Sequence, residues 1–252
     1  ENTATNMLQK HRATWGTTYT PNSNNLFDFQ YSFENYRTTT KANTLENSTL
    51  NGNQTSLTTF QNSIGKGTTH DLSLLYRHTR KSSSLDVNTG FIYGQDNPIG
   101  NILTNNTTPT NLTGNNTYKV FMMQTDYKLN LPKEYEIIIG GRFSHTNNNG
   151  SSSSENPNTG ISKYNDRTTL TDENYSLYAN VNRQMGNLYA GIGLRWEYMN
   201  SIYKLNAQEL VKDKSSILYP SVELEYEISP SVGLLAGYTA KSLRPSISQL
   251  SP

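Results

Sequence analysis

Charged side chains recur at two-residue spacing in several stretches of this sequence. Glu223, Glu225 and Glu227 form one such row, and Arg195 with Glu197 another. Alternate side chains of a β-strand leave the same face. In a strand, each row therefore projects together. Three like carboxylates on one face point to a cation site or to a basic partner such as Arg195 or Lys241, with a plain salt-bridge ladder as the alternative. Arg142, close to Glu136, belongs to the same class of residue. Other chemistries have no residues to carry them. The 4 histidines, His11, His70, His78 and His145, lack the close-spaced partners of a metal site. Of these, His145 adjoins a long polar segment, where it is a candidate ligand contact or a surface residue. There is no Cys, hence no disulfide, thiolate ligand or cysteine nucleophile. No Ser lies in G-x-S-x-G, and no phosphate-binding or dinucleotide-binding glycine motif occurs. Catalytic residues, metal ligands and cofactors are therefore not assigned, and the chain is not expected to be an enzyme.

The elements that carry these rows are strands. Over 174–200, Tyr175, Leu177, Ala179 and Val181 alternate with polar residues. After Arg183 to Asn187, Leu188, Ala190, Ile192, Leu194, Trp196 and Tyr198 alternate with Gly191, Gly193, Arg195 and Glu197. The same period of two recurs elsewhere. It predicts ten strands in five hairpins, with short turns near 20–25, 80–83, 130–134, 183–187 and 229–231. Long polar segments near 40–66, 95–116, 146–172 and 200–216 separate the hairpins. Stretches such as "TNNNGSSSSENPNTG" hold too little apolar surface to order themselves and are expected to be loops.

Composition agrees with such a chain. The hydrophobic fraction is 33%, charged residues are 16% and net charge is +1. Aromatics are 10%, which disorder does not explain. A near-neutral chain without dense Lys/Arg runs offers no case for nucleic acid. No apolar run reaches the ~18 residues of a membrane helix, and Glu1-Asn2-Thr3 is not a signal peptide.

Short turns at one end, long segments at the other, and one apolar face per strand describe an outer-membrane barrel. The apolar face would then meet lipid. Tyr175, Trp196, Tyr198, Tyr127, Tyr135, Phe143 and Tyr238 would form its interfacial girdles. A soluble β-sandwich with a dry core shares the alternation. The fold expected is all-β: an antiparallel up-and-down meander of about ten strands, part of an outer-membrane β-barrel.

The stretch 170–200, with Gly193-Leu194-Arg195-Trp196-Glu197, resembles the outer-membrane β-barrel family of Bacteroidetes TonB-dependent receptors. Tyr219-Pro220-Ser221 and Arg244-Pro245-Ser246 through Leu250-Ser251-Pro252 carry the same resemblance. It implies a nutrient receptor of the bacterial outer membrane, driven by the TonB system through a plug domain. Cargo would be a small nutrient: a ferric chelate, cobalamin, an oligosaccharide or a peptide. Barrels of that type have roughly 22 strands. Residues 1–252 are therefore expected to be a single barrel fragment, with the plug and C-terminal strands absent and open edges around 10–19 and 232–242. The lumen-facing binding candidates are Arg142, Arg195, Glu197, Glu223, Glu225, Glu227 and Lys241. The rival reading is an adhesin or surface interaction protein whose Asn/Thr-rich loops bind a partner. An outer-membrane hydrolase would need a Ser/His or Asp/His set at the extracellular rim, and none is evident.

Spin labels at Leu194 and Arg195 should report different environments in detergent, one apolar and one aqueous. Equal accessibility would show a shifted register, because a one-residue slip exchanges the faces.

Overall fold

The computed structural model describes residues 2–50, 53–105 and 108–241. The Arg244-Pro245-Ser246 and Leu250-Ser251-Pro252 segments lie outside them, as does the end of the predicted 232–242 edge. Ten strands follow one another: β1 (Asn2–Asn22), β2 (Asn25–Leu50), β3 (Asn53–Thr79), β4 (Ser83–Thr104), β5 (Thr108–Leu131), β6 (Tyr135–Glu155), β7 (Ser162–Met185), β8 (Leu188–Leu205), β9 (Gln208–Ser229) and β10 (Val232–Thr239). They form one antiparallel sheet in the order β1 to β10, each strand bonded to its chain neighbours. Among the described residues there is no helix and no second sheet.

The register puts the predicted faces where the alternation requires. Across β7 and β8, Tyr175 pairs with Tyr198, Leu177 with Trp196, Ala179 with Leu194 and Val181 with Ile192. On the other face Tyr178 meets Arg195 and Ser176 meets Glu197. Among the described residues nothing covers the apolar face: Leu177, Ile192 and Leu194 are 61%, 62% and 51% exposed. Only Leu170, Tyr203 and Tyr219 are buried hydrophobics among the described residues. A sheet with so little core and so much outward apolar surface needs a non-aqueous solvent on one side. That excludes the dry-cored sandwich.

Two rows of rings bound the apolar band. The upper row runs through Phe33, His70 and Tyr93, then Phe121, Phe143, Tyr175 and Tyr198, with neighbouring centroids 4.8–6.2 Å apart within each run. The lower row includes Tyr19, Phe27 and Tyr76. Farther along it, Arg183 stacks 4.6 Å from the Tyr135 ring centroid. From Tyr175 to Arg183 is about 26 Å of strand at ~3.3 Å per residue, close to the ~25 Å apolar band of outer-membrane barrels.

Among the described residues, most of the expected long-loop positions are strand, and 156–161 remain a loop. The Asn/Thr/Ser stretches continue the strands past the upper row. β3 is 27 residues long. At ~3.3 Å per residue that is roughly 90 Å of strand, far more than the ~9–11 residues that cross a membrane. A ladder is held by main-chain groups and does not require apolar side chains. Thr, common here, favours extended backbone. Of the distal turns within the described residues, the one after β6 runs over 156–161 and the one after β8 has only two residues. Asn206 and Ala207 both have positive φ (50° and 68°), and Leu205 pairs with Gln208 across them. Two left-handed residues make the hairpin turn whose twist matches its strands. Asn206 is also clamped to β7. Its Oδ1 accepts from Arg167 N–H at 2.8 Å, and its backbone N–H donates to Arg167 O at 2.8 Å. Asn105 binds Thr58 in the same way.

On the inward face, three tyrosines lie flat over cross-strand glycines: Tyr36 over Gly67, Tyr118 over Gly94 and Tyr178 over Gly140. A Cβ at any of the three would collide with the ring. Beyond the upper row, burial and then the Asp96 carboxylate push the Tyr36 phenol up to about 12.

Gly140→Ala should displace the Tyr178 ring and cost about 1–3 kcal/mol, the usual penalty for overpacking, read from urea unfolding in detergent. Gly233→Ala, where a Cβ would meet only the Tyr226 carbonyl at 3.8 Å, should cost little. Equal effects would remove the ring-over-glycine contact as a source of stability.

Candidate functional site

All the predicted lumen residues that lie in strands face inward. Arg142 sits on β6, Arg195 and Glu197 on β8, and Glu223, Glu225 and Glu227 on β9. Lys241 follows β10. They divide into two sets. Arg142, Arg195, Glu197 and Lys241 line one concavity of about 670 Å³, which spans β5 to β10 in the lower half of the wall. Glu223, Glu225 and Glu227 line another, of about 400 Å³, nearer the short turns.

In the first concavity, Arg195 is held on two sides. Its Nε lies 3.4 Å from Glu197 Oε1, and its guanidinium carbon lies 5.0 Å from the Tyr219 ring centroid. Glu197 is largely shielded, with its side chain 15% exposed. Beside it, on the neighbouring strand β7, begins a second polar group. The Tyr178 hydroxyl donates to Asp126, and Gln124 Nε2 donates to Asp126 at 2.8 Å and to Tyr178 at 3.1 Å. Asp126 is thus engaged by two donors. Neither Arg142 nor Lys241 forms an ion pair among the described residues. The concavity therefore offers two uncommitted cations, phenols and amides to whatever enters it.

The glutamate row does not form the ladder that its spacing suggested. Arg195 is committed to Glu197 and Tyr219, and Lys241 lies with Arg195 in the first concavity. β10 turns Gly237, Leu235 and Gly233 toward Glu223, Glu225 and Glu227. Tyr189 faces Glu225 from β8. Among the described residues no cation forms an ion pair with the row, and no group of three His, Asp or Glu side chains is arranged to hold a metal. His145 is not a lumen contact. It faces outward just above the upper row, with Nδ1 3.6 Å from Glu173.

Tyr178, Asp126, Gln124 and Tyr219 were missed by the charge-centred reading. A signal existed for Tyr178, which has the inward parity of its strand and meets a glycine in the facing one. No single-strand pattern identifies that partner.

A family model described as outer membrane protein beta-barrel family matches residues 65–252. No curated protein matches. Among solved structures, the fold is similar to the ferric citrate transporter FecA in its unliganded form, with 11% identity, a TM-score of 0.56, and coverage of 94% of this chain and 43% of that one. It is similar to the closed form of the ferric-catecholate import receptor Fiu from E. coli K12, with 8% identity, a TM-score of 0.59, and coverage of 94% and 49%. It is also similar to the ferric yersiniabactin uptake receptor FyuA from Yersinia pestis, with 8% identity, a TM-score of 0.54, and coverage of 89% and 44%. The chain spans less than half the length of each.

An Arg195→Ala/Tyr219→Leu double-mutant cycle should return a coupling of about 0.5–1 kcal/mol in equilibrium unfolding. Arg195→Ala with Glu225→Gln should return none. Coupling to Glu225 instead would restore the ladder.

Proposed function

The chain belongs to the outer membrane protein beta-barrel family, and from that we propose that it forms barrel wall in a TonB-dependent receptor that takes up a nutrient. The observation that carries the reading is the two-faced meander. Its outward apolar band lies between aromatic rows, and its inward wall presents Arg142, Arg195, Glu197 and Lys241 in one concavity. A wall of that kind suits a polar solute or a polar plug domain rather than a lipid-filled interior. Likeness in fold to the three import receptors supports the same reading. In this proposal β1 and β10 are joined by further strands of a larger barrel, and TonB acts through a plug. The Gly193-Leu194-Arg195-Trp196-Glu197 and Tyr219-Pro220-Ser221 motifs support a Bacteroidetes-type receptor.

The seven inward charged residues are proposed as contacts to plug or cargo, with Arg142 and Lys241 the freest to bind an anionic group. Cells carrying and lacking the gene should be compared for accumulation of labelled ferric chelates, cobalamin, oligosaccharides and peptides. The expected result is loss of one class on deletion and on collapse of the proton gradient. Arg142→Glu with Lys241→Glu should lower its uptake at least tenfold. If deletion leaves every uptake unchanged and abolishes attachment to a matrix or host surface, the protein is an adhesin.

A further inference from the structure

Far above the upper aromatic row the outward face of the sheet is mostly Asn, Thr and Ser, with a cluster of exceptions on β1, β3 and β4. Met7, Ile64 and Ile99 stand in one cross-strand row, the last two six residues beyond His70 and Tyr93. Phe60 and Leu103 pair directly, four residues farther out. Met7 and Ile99 are each 59% exposed, and Phe60 is 50% exposed. At ~3.3 Å per residue the two rows lie roughly 20 and 33 Å along the strand from the aromatic row, well past the apolar band that lipid covers. At the same heights β6 turns Asn149, Ser151 and Ser153 outward, and β7 turns Thr169 and Arg167 outward.

The strands that carry this cluster do not require it. Their ladder is made by main-chain groups, and Thr extends a strand equally well, as it does on β7. Apolar side chains gathered on a side that meets neither lipid nor a core mark a contact with another molecule. The surrounding charge says of what kind. Arg37 and Lys66 pair across β2 and β3 just below the cluster, and Lys41 faces Asn62 between its two rows. All three are exposed, and among the described residues none forms an ion pair. No Asp or Glu among the described residues of β1–β5 points outward above the aromatic row. The complement is an apolar centre ringed by carboxylates. A second copy of this chain does not supply it. Two copies in one membrane stand at the same height, and a two-fold pairing would set these cations against themselves.

We propose that the outward face of β1–β4, from Arg37 and Lys66 out to Phe60 and Leu103, docks a different protein on the long-hairpin side of the membrane, one that presents an apolar patch rimmed by Asp and Glu. This partner stands against the outside of the wall, away from the lumen. The inference depends on the chain's place in the outer membrane and is independent of what the barrel transports.

The test is photo-cross-linking of the full protein in its own outer membrane. Benzoylphenylalanine is placed singly at Met7, Phe60 or Ile99. Controls carry it at Asn149 or Ser151, which are outward and exposed at similar heights on β6. Adduct yield is taken per molecule recovered in the membrane fraction, so a variant that fails to assemble is recognised as such. The cluster positions should yield an adduct with one polypeptide of different sequence, identified by mass spectrometry, and the controls about tenfold less or lower still, since a few central anchors carry most of an interface. With the probe at Met7, Phe60→Thr with Ile99→Thr should lower the adduct about tenfold. Arg37→Glu with Lys66→Glu should lower it about threefold or more. Arg167→Glu with Lys212→Glu, the same charge change elsewhere on the outward face, should leave it unchanged. Absence of an adduct, equal adducts at the controls, an adduct of the protein with itself or with lipid, or an undiminished adduct in the Arg37→Glu, Lys66→Glu variant would each overturn the proposal.

Discussion

The main-chain hydrogen-bond ladder is the constraint on which everything else here depends. In hydrocarbon no water is available for an unpaired N–H or C=O, so a lipid-facing sheet must satisfy its backbone strand to strand. Once that ladder is in place, side chains need not hold the sheet together and are free to meet two different solvents. This is why ten strands can carry so few buried hydrophobics, among the described residues only Leu170, Tyr203 and Tyr219. It is also why the sheet continues beyond the apolar band. Above the upper aromatic row, Asn, Thr and Ser replace Leu and Phe while the pairing persists unchanged, as from Asn35↔Thr68 to Leu50↔Asn53.

With the backbone settled, the inward wall is shaped by fit and charge rather than by burial of apolar volume. Tyrosine rings fill the gaps over Gly67, Gly94 and Gly140, one in each of three successive hairpins. Ion pairs form mostly on this side: Lys10 and Arg12 with Glu34, Arg77 with Asp86, Lys128 with Glu136, and Arg195 with Glu197. The two uncommitted cations of the 670 Å³ concavity stand out against that background of pairing.

The fold was legible in the sequence where side chains meet lipid. Leu177 to Val181 and Leu188 to Tyr198 had to alternate, because a one-residue slip would put Arg195 into hydrocarbon. The short turns were legible for the same reason. The distal hairpins were not, since composition reports what side chains can bury and is silent about a ladder made by the backbone. Asn206 and Asn105 look like two more polar residues in a polar run, yet each seats a turn against the neighbouring strand. The site was legible in its facing and illegible in its pairing. Inward parity placed Arg195 and Glu225 on one surface. It did not show that Tyr219 lies across from Arg195, or that Gly237 and Leu235 stand where a cation was expected.

Each strand bonds only to the strands next to it in the chain, and this makes the hairpin the unit of inheritance. Removing or duplicating a pair such as β5 and β6 would change the circumference of a barrel while every other strand kept its direction and its inside and outside faces. A single strand cannot be exchanged in this way, because all that follow would run upside down. Such a wall can therefore grow or shrink over generations in steps of two, each step carrying its own share of aromatic row, inward glycine and distal tip, with no other part of the protein having to be rewritten.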